Sequence, residues 1–125
     1  MTLPVRYPSP LTAPLSKSVR AGGFVFLSGQ TPKNSDLSPL RGDIQQQTKN
    51  VLDAIEASLA EHGLTLAHVV RATCWLSDIS LMKPFNEVYA SYFKDALPVR
   101  STVEAKLSQD VDVEIEITAW SADLL

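Results

Sequence analysis

One cysteine, Cys74, stands among the 125 residues. A lone thiol has no partner within the chain, so a disulfide-stapled scaffold is excluded. Histidine is nearly as scarce. His62 and His68 are the only two, and their spacing, with no cysteine beside them, is not that of a metal-ligand pair. Excess charge is also small. Fourteen acidic residues against eleven basic leave −3, which gives no bulk attraction for nucleic acid or an anionic membrane. A basic patch would have to come from Lys17, Arg20 and Arg71 meeting in space. No apolar run approaches the ~20 residues that cross a bilayer, and the proline-broken N-terminus lacks the continuous apolar stretch of a secretory signal. The cytosol is the expected compartment, which suits a reduced thiol. Glycine-rich phosphate loops, the G-x-G-x-x-G pattern and a strand-turn-helix nucleophile elbow are all missing. The sequence therefore offers neither a metal-ligand spacing nor a phosphate-cradling loop.

What is there fits one globular domain spanning 1–125. Hydrophobic residues make up 45% and charged residues 20%, ordinary values for such a domain. A chain this long buries roughly two-thirds of its unfolded surface, enough for one real core. Prolines 4, 8, 10 and 14 make 1–12 an extended, partly irregular segment. Leu15 to Arg20 reads as a strand. Phe24 to Ser28, short and rich in aromatics, reads as a buried one. Gly29 to Gly42, with its glycines, prolines, Asn34 and Asp36, reads as a long loop.

Asp43 to His62 is the clearest helix. Ile44, Val51, Ile55 and Leu59 fall on one stripe. Asp43 and Gln46 have the spacing of a capping box, and Gly63 is a natural stop. Val69 to Ser77 alternates, with Val70, Ala72, Cys74 and Leu76 on one side and Val69, Arg71, Thr73 and Trp75 on the other. Met82 to Lys94 is a second amphipathic helix. Arg100 to Leu107 and Val111 to Trp120 read as strands, the second placing Val113, Ile115, Ile117 and Ala119 opposite Glu114, Glu116 and Trp120. This order predicts an α+β fold, a sheet with both helices packed on one face. A half-polar second face carrying Trp75 and Arg71 predicts an oligomer.

Two segments carry chemistry. Ser28-Gly29-Gln30 with Pro32 lies where a strand enters a loop, and a turn explains it equally well. Pro98-Val99-Arg100-Ser101 puts an arginine at a strand start. Such a residue is often a solvated edge charge, but in a pocket its planar fork suits two-point capture of a carboxylate. Cys74, mid-strand on the apolar side, reads as a small buried hydrophobe rather than a reactive thiol.

Taken together these segments resemble one family. Val25-Phe26-Leu27-Ser28-Gly29-Gln30-Thr31-Pro32 is similar to the strand-then-SGQ-x-P signature of the YjgF-like, or reactive intermediate deaminase (Rid), proteins. Gln47-Thr48-Lys49-Asn50, Val69 to Leu76 with Asp78, Phe85-Asn86-Glu87-Val88-Tyr89, Pro98-Val99-Arg100-Ser101 and Val113-Glu114-Ile115-Glu116 follow in that family's order, so the resemblance covers about 13 to 120. It implies a chorismate-mutase-like homotrimer with clefts between subunits. It implies cofactor-independent hydrolysis of enamines and imines of amino-acid origin to 2-keto acids and ammonia. On that resemblance Arg100 would pair with the substrate carboxylate, helped by the backbone N–H of Thr102, which stands where many members have cysteine. Glu114 would hold or activate the attacking water. Ser28 and Gly29 would line the pocket, and Asn86 matches a pocket-associated asparagine.

The chain departs from the pattern in two places. Leu15 stands where the family has a ligand-facing tyrosine, with Lys17 at its glutamine, and Leu107-Ser108 replaces Leu-Pro. A phenol that could hydrogen-bond the substrate is therefore gone. Three other readings stay open: a trimer that binds a small carboxylate without turning it over; a ribonuclease or translation inhibitor, which the charge balance does not favour; and another chemistry on the same scaffold, such as aminomuconate-type deamination or chorismate-type hydrolysis.

Overall fold

The computed structural model describes residues 2–125. Its helix and strand order is β1 (Val5–Pro8), β2 (Ser16–Ala21), β3 (Phe24–Leu27), α1 (Ile44–Ala60), β4 (Val69–Leu76), α2 (Met82–Phe93), β5 (Val99–Glu104) and β6 (Val113–Trp120). The strands make one mixed sheet in the order β1-β2-β3-β6-β4-β5. Every neighbouring pair is antiparallel except β4 with β5. The parallel pair is what α2 makes possible, because a parallel return needs a crossover.

Local sequence explains the elements. The β2–β3 hairpin turns at Gly22, whose φ of +58° lies where glycine is unstrained. The capping box on α1 is complete: Gln46 N–H donates to Asp43 Oδ1 at 2.8 Å, and Asp43 N–H donates to Gln46 Oε1 at 3.0 Å. At the other end Leu64 N–H donates to Leu59 O and Gly63 N–H to Ala60 O, both at 3.0 Å. With Gly63 at φ +73° this closes the helix as a Schellman turn. The apolar stripe of α1 (Val51, Leu52, Ile55, Leu59) and that of α2 (Phe85, Tyr89, Phe93) join Val25, Leu27, Cys74, Leu76, Ile115 and Ile117 of the sheet in one core. Each fully buried leucine or isoleucine there contributes about 2 kcal/mol. No helix among the described residues is long and apolar enough to cross a membrane.

The strands differ from the sequence reading in four places. The N-terminal segment holds a strand, β1, paired Val5 to Arg20 and Arg6 to Val19. Prolines are tolerated at its ends because it is a sheet edge. In β4, Val69 is buried and Val70 is 43% exposed, the reverse of simple alternation. A register shift between Val69 and Arg71 opposite β6 adds a residue and swaps faces. β5 stops at Glu104 rather than Leu107, because its partner β4 ends at Leu76, the residue in register with Glu104. β6 starts at Val113 rather than Val111, because Asp112 is held elsewhere.

That hold ties α1 to the sheet. Gln47, 2% exposed, donates from Nε2 to Asp112 Oδ2 at 2.9 Å and to Gly42 O at 2.8 Å, and its Oε1 accepts from Asp112 N at 2.7 Å. Ser77 completes the cluster, donating from Oγ to Asp112 Oδ1 at 2.6 Å. A buried amide with both ends satisfied costs little, but removing it leaves three groups without partners. Gln47→Ala is expected to lower stability by about 2–3 kcal/mol, read as a drop in the urea midpoint with unchanged slope.

Candidate functional site

β5 is an edge strand, and Arg100 stands on it in register with Ala72. Ala72 is buried beneath the helices, so Arg100 projects on the helix side and runs out along α2. Its guanidinium carbon lies 4.8 Å from the ring centre of Tyr89 and 5.5 Å from that of Phe85. Both distances are within the range of cation–π attraction. Nη1 donates to Asn86 Oδ1 at 2.8 Å, and Nη2 lies 3.8 Å from Met82 Sδ. Two turns of α2 thus hold the fork from beneath. Arg100 forms no ion pair among the described residues. Its charge is oriented, exposed and unspent, which is the condition for gripping an incoming carboxylate. Thr102, the next residue on the same side of β5, has a buried hydroxyl with no hydrogen-bond partner, and so has Tyr89.

A second group forms where the end of β3 meets the start of β6. Gln30 and Ile115 exchange backbone hydrogen bonds at 2.8 and 3.0 Å, which draws the end of β3 against the start of β6. Gly29 is thereby packed on Glu114: a Cβ at position 29 would collide with the Glu114 carboxylate. Ser28 donates from Oγ to Ser16 O at 2.6 Å. Ser28, Gly29, Leu15 and Glu114 line a cavity of about 380 Å³, and the first three also line an adjoining one of about 500 Å³. Burial raises the affinity of Glu114 for its proton, the neighbouring Glu116 adds to this, and Lys33 opposes it. A carboxylate so placed is a better base than an ordinary one.

The two groups do not meet within one chain. Glu114 is in register with Trp75 of β4, which is in register with Val103 of β5. That row lies on the sheet face that no helix covers. Arg100 is in the row of Ala72 and Ile117, on the covered face. The structure therefore brings Arg100, Asn86 and Thr102 together on the covered face, and Leu15, Ser28, Gly29 and Glu114 together at the end of β3, with Glu114 on the open face and the adjoining cavity reaching round to Asp53 and Ala57 of α1. Sequence reasoning missed the ring shelf of Phe85 and Tyr89, which reads as helix core. Their i, i+4 spacing around Asn86, the residue that bonds Arg100, is the signal that could have found it.

The remaining candidates are structural. Cys74 is fully buried, and burial pushes its thiol up to about 12, which bears out the inert reading. His62 Nε2 is 2.9 Å from Ser18 Oγ, and His68 Nδ1 accepts from Thr65 N at 3.0 Å. Lys17, Arg20 and Arg71 do not gather. Lys17 pairs with Glu61 at 2.7 Å, while Arg20, on the opposite face of β2, reaches Leu124 O at 3.4 Å.

Comparison with known proteins finds relatives along nearly the whole chain. The family model described as Endoribonuclease L-PSP matches residues 8–121. A RutC family protein of Pyrococcus abyssi is 38% identical over 115 residues, covering 90% of each chain. The mitochondrial protein MMF1 of Saccharomyces cerevisiae is 35% identical over 111 residues, 88% of this chain and 77% of that one. Among solved structures, a protein of the Rid family from Yersinia pestis superposes with a TM-score of 0.85 at 36% identity, covering 93% of this chain and 94% of that one.

The contact between Gly29 and Glu114 can be tested directly. The group in the way is the far end of a flexible side chain, so Gly29→Ala is expected to displace the carboxylate rather than unfold the protein. Thermal unfolding should shift by no more than ~1 kcal/mol equivalent, while any activity that depends on Glu114 falls by at least about tenfold.

Proposed function

The chain belongs to the Endoribonuclease L-PSP family, whose members are also named RutC, YjgF and Rid, and on that premise we propose that it hydrolyses reactive enamines and imines of 2-amino acids to 2-keto acids and ammonia. The observation that carries this reading is the division of the site. An unpaired guanidinium held ready for a carboxylate lies on one face, and a base beside a cavity lies on the other. A homotrimer would join the Arg100 half of one copy to the Glu114 half of the next. Exposed Phe24, Phe26 and Trp120 on the uncovered face support such an assembly.

In that cleft Arg100 grips the substrate carboxylate in two-point fashion, with Asn86 and the ring shelf fixing its plane. The backbone N–H of Thr102 assists. Glu114 orients a water against the C=N carbon and takes its proton as the C–O bond forms. Ser28 and Gly29 shape the wall, and Gly29 leaves room for the carboxylate. Positioning and electrostatics supply the catalysis, and no cofactor takes part. The exposed Leu15 at the cavity mouth, where the family pattern has tyrosine, favours a second reading in which the cleft binds a carboxylate ligand without turning it over. RNA is disfavoured by the charges: Glu114 and Glu116 line the smaller cavity, and both would repel phosphates. The cytosolic compartment belongs to the same proposal.

The test is to generate 2-imino acids with an amino-acid oxidase, trap them with semicarbazide, and follow diversion to keto acid. Wild type should divert them, and Arg100→Ala should lose about 100-fold or more in kcat/KM. Binding of a 2-keto acid without diversion would establish the second reading. Co-expression of Arg100→Ala with Glu114→Gln tests the shared cleft. Each variant alone should be inactive, and random mixing should restore about a quarter of wild-type activity, because one in four clefts receives both intact halves. No recovery would place the whole site within one chain.

A further inference from the structure

Lys33 has no part in the reaction described so far, yet it is built into the Glu114 half-site. It lines both cavities with Leu15, Ser28 and Gly29, and shares the smaller with Glu114. Its backbone is fixed. Lys33 N–H donates to Asn50 Oδ1 at 2.8 Å, Asn50 Nδ2 donates back to Lys33 O at 3.0 Å, and a bridge pairs Lys33 with Pro39. Its ammonium is fixed too. Nζ donates to Thr31 O at 3.2 Å and to Thr31 Oγ1 at 3.0 Å. An ammonium has three N–H bonds, so one is left. Lys33 forms no ion pair among the described residues. The other charged groups of these cavities are Lys17 on β2, already paired with Glu61, Asp53 on α1, and Glu114 and Glu116 on β6.

This is an amine with a spare proton, beside the base, in a half-buried setting. Burial loosens its hold on that proton, and the field of Glu114 partly restores it. A proton donor is what expulsion of an amine needs, because an amide ion is not a viable leaving group and ammonia is.

We propose that Lys33 shuttles a proton to the departing nitrogen, an inference that rests on the hydrolytic reading above. Water addition to the protonated imine, with Glu114 taking one water proton, gives a carbinolamine bearing OH and NH2 on one carbon. The Lys33 ammonium gives its proton to that NH2 as the C–N bond breaks, the bonding pair leaving on nitrogen as ammonia. The neutral amine then takes the hydroxyl proton, and the oxygen becomes the keto oxygen. Lys33 ends as it began, and the proton on Glu114 passes to solvent.

The test separates proton transfer from charge and from folding. In the imine assay Lys33→Met is expected to lose about 100-fold in kcat with KM within about twofold and an unchanged thermal midpoint. Lys33→Arg keeps the charge but cannot release its proton, so its kcat should stay as low. Lys33→Cys alkylated with 2-bromoethylamine rebuilds the side chain with sulfur in place of one methylene; buried Cys74 escapes the reagent. Alkylation should restore kcat, with its alkaline limb moved to lower pH because the thioether makes a more acidic ammonium. Three results would each overturn the shuttle alone while Arg100→Ala remains inactive: Lys33→Met within about threefold of wild type in kcat, full activity in Lys33→Arg, or restoration by alkylation with the limb unmoved. A wild type that hydrolyses no imine overturns the hydrolytic reading and the shuttle together.

Discussion

Side chains alternate faces along a strand, and helices cover only one face of this sheet. Most of what distinguishes the protein follows from those two conditions. The row Ala72, Ile117 and Arg100 runs beneath and beside the helices; the row Trp75, Glu114 and Val103 runs on the open face. No rotation of a side chain moves Glu114 to the side of Arg100. A chemistry that needs both, as the proposed hydrolysis does, would therefore draw on a second copy.

The Arg100 half-site shows how an edge position is made specific. An arginine at a strand end ordinarily samples many rotamers, and holding it still costs side-chain entropy. Here two turns of α2 meet that cost with two aromatic faces, one amide oxygen and a thioether. None of these carries a negative charge. The guanidinium is fixed without being neutralised, so its charge stays available to a ligand. A carboxylate in place of Asn86 would hold it as firmly and consume it.

The Glu114 half-site is organised by backbone. The paired hydrogen bonds between Gln30 and Ile115 set the end of β3 on the start of β6, and a residue without Cβ at position 29 lets the carboxylate lie in the gap. The loop that follows is anchored to α1 through Asn50. That anchor is why Lys33 faces the same space as Glu114 although it comes from a stretch that reads as irregular.

The sequence by itself determined the two helices, their caps, the buried stripes and the faces of β6, because periodicity and capping are local and each residue reports on its own neighbourhood. It also named Arg100, Glu114, Ser28, Gly29, Asn86 and Thr102 through a family pattern whose residues lie far apart in the chain. Only the tertiary structure decided how they group. The β1 pairing depends on an edge that β2 offers, the exchange of Val69 and Val70 on a bulge opposite β6, and the end of β5 on where β4 runs out. The division of the site has the same origin. Which face a strand residue occupies is local, but which face the helices cover, and which loop closes over it, is set by packing between elements distant in sequence.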